Sequence, residues 1–168
     1  MTRHLLDTNI FIQAKNLHYG FDFCPAFWEW LIERNVAGCV ASIDKVGDEL
    51  QAGGDDLSDW ATARGRAFFL PPDDPVLPAL GRVSAWATSR NYEAAAIATF
   101  FQVADYWLVA HALAHDFVVV THEVPSDSTR KIKIPNACIG LGLTCISPYE
   151  MLRRERARFV LGPAPRVA

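Results

Sequence analysis

The chain has 168 residues, 51% of them apolar, which suffices for one hydrophobic core, so we expect a single domain over residues 1–158 and a tail over 159–168. The formal net charge of -3 excludes a uniformly basic nucleic-acid surface and leaves only local basic patches for that role. The four cysteines form no Cys-x-x-Cys pair, which argues against a structural zinc site and predicts reduced thiols in the core.

Short apolar runs and helical patterns alternate along the chain. The runs lack polar alternation, as expected for strands that are covered on both faces, and the segments between them repeat apolar residues at helical spacing. In chain order, the pattern predicts a strand HLL ending at Asp7, a helix over 25–35, a strand over 37–41, a helix over 42–52 capped by Ser42, a helix carrying Val76, Leu80, Val83 and Ala87, a helix over 104–115, strands over 117–121 and 143–147, and a helix capped by Ser147. This order predicts a three-layer α/β/α sandwich with a central, mostly parallel sheet of four or five strands.

The longest apolar stretch, at 94–114, has the length of a membrane span. Gln102 and Asp105 interrupt it, and an acid at the bilayer centre costs about 2.5–3.5 kcal/mol. The N-terminus places Asp7 and Asn9 where a signal peptide needs an unbroken apolar run. We therefore predict a cytoplasmic protein without a membrane partner.

Three acidic residues fall at one edge of the predicted sheet. Asp7 ends the first strand and Glu123 lies just past the strand 117–121. Asp105 lies in the first turn of the helix that runs antiparallel to that strand. Because ligands collect at the carboxyl ends of parallel strands, we expect these carboxylates to converge on one rim.

Glu49 is a fourth candidate, in the helix that leaves the second strand. It lies two turns into this helix, on the order of 10 Å from its start, and reaches the rim only if the helix tilts across it. Asp44 and Asp48 compete for the same role. We prefer Glu49 because Val46 and Leu50 place it at the border of the buried face.

Carboxylates held together repel one another and lose hydration, which is costly unless a cation lies among them. All-oxygen ligation suits Mg²⁺ or Mn²⁺ better than zinc, and such an ion activates water for attack on phosphorus. The pattern therefore predicts phosphodiester hydrolysis. The alternatives are a helix cap for Asp7 and a first-turn acid complementing the helix dipole for Asp105.

Four segments resemble the PIN-domain ribonucleases: LLDTNIFI at 5–12, DEL at 48–50, ADYWLVAHALAH at 104–115 and VVVTHE at 118–123. The last two, with KIKIPNACIGLGL at 131–143, resemble a PIN-like branch formerly known only as a domain of unknown function. The resemblance spans residue 4 to about 152. It implies a PIN-like fold and a metal-dependent endoribonuclease, the toxin of a bacterial toxin–antitoxin pair. It also implies Mg²⁺ or Mn²⁺, an RNA substrate, a small antitoxin protein as partner and a homodimer as a candidate assembly.

The resemblance assigns roles residue by residue. Catalytic carboxylates fall on four positions, which are Asp7, Glu49, Asp105 and Glu123. The implied metal ligands are Asp7, Asp105 and Glu123, with supporting roles for Thr8, Asn9 and Thr121.

The fourth acid departs from the family pattern. That position usually reads Thr-x-Asp, and here it reads Thr121-His122-Glu123. Glutamate keeps the carboxylate but lengthens its reach, and Asp127 is the alternative. The departure also leaves open a PIN-like protein with weak catalysis that acts as a binding or scaffold protein.

Basic and aromatic residues near the rim are candidates for RNA contacts. Arg130, Lys131 and Lys133 closely follow Glu123 and are predicted to contact phosphates. His122 is either a surface residue or a substrate contact. An exposed aromatic side chain near the rim could stack a base, but the sequence does not identify it.

Overall fold

The computed structural model describes residues 1–162, so residues 163–168 of the predicted tail lie outside the described residues. Five strands form one parallel sheet in the order β3-β2-β1-β4-β5. They are β1 (His4–Leu6), β2 (Val40–Ile43), β3 (Phe69–Leu70), β4 (Val118–Val120) and β5 (Cys145–Ile146). The predicted parallel α/β fold is confirmed.

Helices connect and flank the strands. Within residues 1–162 they are α1 (Thr8–Gln13), α2 (Pro25–Val36), α3 (Asp44–Gln51), α4 (Asp56–Phe68), α5 (Val76–Ser89), α6 (Ala94–Gln102), α7 (Ala104–His115), α8 (Ile134–Leu141) and α9 (Pro148–Arg154). A π-helical turn, Ala14–His18, continues α1. The helix predicted over 104–115 has the observed bounds of α7, and that over 25–35 differs from α2 by one residue.

The core lies on the central strands and the helices packed against them. Leu5 and Leu6 of β1 and Val119 and Val120 of β4 are fully buried, which explains why these strands lack polar alternation. The cysteines are free thiols, Cys39 and Cys138 buried and the others half-buried, as predicted. Phe159, the first residue of the predicted tail, packs its ring against Tyr19 and Phe27.

The prediction around the second strand was wrong in two respects. The strand begins at Val40 and runs through Ile43, because residues 37–39 complete the turn after α2 with Gly38 at φ 78°. Ser42 is not a helix cap but a buried strand residue. Its hydroxyl donates to the Leu6 carbonyl at 2.6 Å and so ties β2 to β1, and α3 begins at Asp44 instead.

Five elements escaped the sequence patterns: the π-helical turn, β3, α4, α6 and α8. The helix α1 entered the prediction only through the capping alternative for Asp7. β3 has only two residues, too few for an apolar run to indicate a strand. Among the described residues, no single helix is long and apolar enough to cross a membrane. α6 and α7 meet that test only when taken together, and they are bent by 72° at the break between them.

Helices α5 and α8 pack closely at Trp86 and Gly140. A Cβ atom at residue 140 would lie 2.5 Å from Cε2 of Trp86, whose side chain is buried. By contrast, a Cβ atom at Gly81 of α5 would meet no atom within 4 Å. A methyl group is therefore expected to fit at residue 81 and to clash with Trp86 at residue 140.

We predict that Gly140→Ala destabilises the fold by about 1–3 kcal/mol, because overpacking outweighs the gain in helix propensity. Gly81→Ala, the matched control, should stabilise it by about 0.5–1 kcal/mol. Urea denaturation of both variants measures this. Equal stabilisation by both substitutions would contradict the close α5–α8 contact.

Candidate active site

A cavity of about 560 Å³, which we call the acid cavity, lies at the carboxyl edge of the sheet. All four predicted carboxylates line it: Asp7, Glu49, Asp105 and Glu123. Polar and cationic side chains beside them are Thr8, Asn9, Arg130 and Lys131, and the apolar part of the wall includes Ile12, Phe100 and Val103. The structure thus brings together the acids that the sequence placed on one rim.

Asp7 is buried at the junction of β1 and α1, with 3% of its surface exposed. It occupies the N-cap position of α1 without a cap hydrogen bond from its side chain, so the capping alternative does not describe this residue. Instead, its Oδ2 accepts a hydrogen bond from the Thr121 hydroxyl at 2.9 Å. Burial raises the pKa of Asp7 to about 6, the Thr121 hydrogen bond opposes this rise, and the charges of Glu123 and Glu49 add to it.

Asp105 is the second residue of α7 and points into the acid cavity. Burial raises its pKa to about 7, with further contributions from the negative charges of Asp7, Glu123 and Glu49. The nearby Lys131 partly offsets this rise in pKa. Within residues 1–162, no hydrogen bond to its carboxyl group relieves the repulsion.

Glu49 reaches the acid cavity from α3, although the residue is exposed. Its Oε2 accepts a hydrogen bond from the Thr8 hydroxyl at 2.6 Å, and its Oε1 accepts one from the backbone N–H of Ala104 at 3.3 Å. These bonds tie Glu49 to the starts of α1 and α7. The rivals Asp44 and Asp48 line a different cavity, so the geometry favours Glu49.

Glu123 follows β4 and is held by three contacts. Its backbone N–H donates to the Thr121 hydroxyl at 3.1 Å, and its Oε2 accepts a hydrogen bond from the Ile134 N–H at the start of α8 at 3.0 Å. Its Oε1 lies 3.4 Å from the Lys131 ammonium. Asp127, the alternative fourth acid, lines a separate cavity with Trp86, so the geometry favours Glu123.

The predicted phosphate contacts divide into two groups. Arg130 and Lys131 line the acid cavity, and both are exposed. Nε of Arg130 lies 3.8 Å from Oε1 of Glu93. This surface ion pair is loose and leaves the guanidinium accessible. Lys133 lies outside the lining of this cavity, at the N-cap position of α8.

The donor set of the acid cavity fits a hard divalent cation. It consists of carboxylate oxygens without nitrogen or sulfur, the set that Mg²⁺ and Mn²⁺ prefer. A cation would also offset the burial and repulsion that raise the pKa values of Asp7 and Asp105. Among residues 1–162, no group of three or more His, Cys, Asp or Glu side chains is already arranged so that it could hold a metal ion.

Two residues beside the site were missed by the sequence patterns. His18 and Tyr149 join His122 next to Glu123, and the hydrogen bond between the first two spans 131 positions of the chain. Tyr149 lies two residues after the helix cap Ser147 and therefore near the carboxyl end of β5. For His18 no local signal existed, because a π-helical turn has no distinctive sequence pattern.

Comparison with known proteins gives a family match for most of the chain and one similar fold. The profile of a family described as a domain of unknown function, DUF4411, matches residues 4–159. No curated protein sequence matches the chain. Among solved structures, one chain in the crystal structure of VapBC2 from Rickettsia felis bound to a DNA fragment from their promoter has a similar fold, with a TM-score of 0.53 and 16% identity. The match covers 87% of this chain and 98% of that chain.

We predict that Asp105→Asn stabilises the metal-free protein, by about 1–2 kcal/mol at about pH 8. The pKa of Asp105 is about 7 in the folded protein, above the usual value for aspartate. The free energy of unfolding of the parent therefore falls as the pH rises from that usual value to about 7. The gain should be smallest near pH 4 and complete above about pH 7.

Urea denaturation in EDTA across this pH range measures the difference. Asp48→Asn, which removes an exposed acid from α3, is the matched control and should change stability by less than about 0.5 kcal/mol. Destabilisation by Asp105→Asn at high pH would instead indicate that the carboxylate stabilises the start of α7.

Proposed function

The chain belongs to the family described as a domain of unknown function, DUF4411, and we propose that it is a metal-dependent endoribonuclease hydrolysing RNA phosphodiester bonds. The observation that carries the proposal is the convergence of four carboxylates on one cavity, where loss of hydration raises the pKa of the buried Asp7 and of the half-buried Asp105. Such an arrangement is costly for folding and is expected where charge serves a reaction. The PIN-like fold, similar to a chain of VapBC2, supports the same class of activity.

In the proposed mechanism, Asp7, Asp105 and Glu123 would hold Mg²⁺ or Mn²⁺. The chemistry that such an ion would supply when bound is activation of water and neutralisation of charge on the phosphate and the leaving oxygen. Thr121 keeps Asp7 in position through its hydroxyl, and the N–H of Ile134 and the ammonium of Lys131 do the same for Glu123.

The remaining residues orient the RNA and accept the proton. Glu49, fixed by Thr8 and the Ala104 N–H, accepts a proton from the attacking water at its carboxylate. Arg130 and Lys131, at the mouth of the acid cavity, bind the phosphate backbone. Asn9 is exposed in the cavity wall and donates to the substrate from its amide.

The proposal includes the biological setting. VapBC2 is the complex named for the similar structure, and by analogy we propose that this chain is a toxin bound by a small antitoxin protein. A cytoplasmic location and a homodimer belong to the same proposal. A neighbouring gene for a small DNA-binding protein would support this setting.

A second candidate function is a PIN-like binding or scaffold protein with weak catalysis. The contacts of Glu123 favour it, because both carboxylate oxygens already have partners, in the Ile134 N–H and the Lys131 ammonium. A carboxylate engaged in this way is less available to a metal. RNA binding without cleavage would identify this alternative.

We predict that the purified protein cleaves RNA in Mn²⁺ or Mg²⁺ and that EDTA abolishes cleavage. Asp7→Asn and Asp105→Asn should each lower the rate about 100-fold or more, because each removes a charge that binds the metal. Gel analysis of structured and unstructured RNAs measures the rate. Asp48→Asn should cleave like the parent, and cleavage that survives both site substitutions would overturn the assignment.

A further inference from the structure

Three aromatic side chains, His18, His122 and Tyr149, meet on the rim beside Glu123, and we call them the histidine–tyrosine cluster. The ring centroids of His18 and His122 lie 5.7 Å apart, and Tyr149 stands edge-on to His18 at 5.8 Å and to His122 at 6.0 Å. The Tyr149 hydroxyl is hydrogen-bonded to Nε2 of His18 at 3.1 Å. The hydrogen bond and the ring contacts fix the positions of all three rings.

Three separate elements at the carboxyl end of the sheet supply the cluster. His18 ends the π-helical turn after α1, where the Tyr19 N–H donates to the Ala14 carbonyl at 2.7 Å in an i to i-5 bond. His122 follows β4 and Tyr149 is the second residue of α9. π-Helical turns cost stability and occur frequently at functional sites. The turn here places His18 on the same rim as the acid cavity.

The cluster is accessible to solvent. Tyr149 is 39% exposed, and His18 and His122 are half-buried. Within the described part of the chain, no group forms a hydrogen bond with the ring nitrogens of His122. The cluster therefore presents a tyrosine ring and an imidazole with open hydrogen-bonding capacity.

Glu123 connects the cluster to the acid cavity. It lines that cavity on one side, and on the other it lines a second cavity of about 520 Å³ together with His122 and Ser147. Because the two cavities meet at Glu123, a strand of RNA whose phosphate lies at the carboxylates can continue into the second cavity. His122 is the member of the cluster that lines this cavity, and its contacts with His18 and Tyr149 place those two rings beside it.

The charges around the second cavity favour a base over a phosphate. Its lining contains Glu123 and Glu150 but, among the described residues, no Lys or Arg, so it offers a phosphate group no cationic partner. Its other walls include Val124, Pro125 and Leu143, which suit the flat apolar face of a base. Base stacking on aromatic side chains is the usual mode of binding to unpaired RNA.

We propose that the histidine–tyrosine cluster binds the unpaired base of a nucleotide next to the scissile phosphate. Tyr149 stacks on the base, and a ring nitrogen of His122 hydrogen-bonds to the base edge. His18 positions Tyr149 through the bond to its hydroxyl. The inference rests on the proposed ribonuclease function.

Fluorescence anisotropy with a short labelled single-stranded RNA in EDTA tests the subsite without cleavage. Tyr149→Ala should weaken RNA binding about 5- to 100-fold, as loss of one stacked base does elsewhere. Tyr149→Phe, which keeps the ring, should weaken it about 3-fold or less, the loss of one ordinary hydrogen bond. Tyr92→Ala, which removes a half-buried tyrosine lining a separate cavity, is the matched control and should bind like the parent.

A second measurement uses the parent protein and a set of RNAs, each with one abasic site at a different position. One position should weaken binding to the parent as much as Tyr149→Ala does, and the two changes together should cost little more than either alone. If Tyr149→Ala unfolds, His122→Ala, which removes the proposed contact to the base edge, takes its place in this comparison.

Equal RNA affinity of the parent and Tyr149→Ala would overturn the subsite. So would abasic sites whose losses of binding free energy add fully to the loss from Tyr149→Ala at every position of the RNA. Such a result leaves RNA cleavage to be decided separately by the Asp7→Asn comparison. A lower melting temperature of Tyr149→Ala with unchanged RNA affinity would assign the cluster to fold stability and also overturn the subsite.

Discussion

The loss of hydration and the repulsion at carboxylates that share one cavity are the constraint around which this structure is arranged. Burial in the acid cavity raises the pKa of both Asp7 and Asp105, and the charges of Glu123 and Glu49 raise both pKa values further. The charge of Asp7 also raises the pKa of Asp105, so ionisation near neutral pH is costly. Under the proposed function, a cation bound in this cavity would offset the cost.

The parallel sheet creates this proximity directly. β1 and β4 are neighbours with Leu6 opposite Val120, so the next residues, Asp7 and Thr121, lie side by side where the strands end. The hydroxyl of Thr121 reaches Asp7 because of that register. The same hydroxyl accepts the Glu123 N–H, and one side chain therefore positions two acids.

Helix starts complete the arrangement. The N–H of Ala104 at the start of α7 binds Glu49, and the N–H of Ile134 at the start of α8 binds Glu123. These unpaired helix donors favour negative charge, so they hold carboxylates that would otherwise repel one another. The backbone N–H groups at the starts of α7 and α8 therefore also position the carboxylates of the site.

The sequence predicted the parts of this site that depend on local pattern. Asp7 and Glu123 follow apolar strands and Asp105 begins a strongly periodic helix, so sheet geometry alone placed them on one rim. The position of Glu49 depended on the tilt of α3, which no pattern encodes, and Ser42 was misread because its hydroxyl bonds to another strand. The histidine–tyrosine cluster joins positions that are distant in the chain, beyond the reach of any local signal.

Binding of Mn²⁺, followed by electron paramagnetic resonance, tests most directly whether the acid cavity is a cation site. We expect saturable binding of Mn²⁺ to the parent, strongly weakened binding to Asp7→Asn and Asp105→Asn, and parent-like binding to Asp48→Asn. Absence of binding to the parent, or equal affinity in all four proteins, would contradict a cation site in the acid cavity.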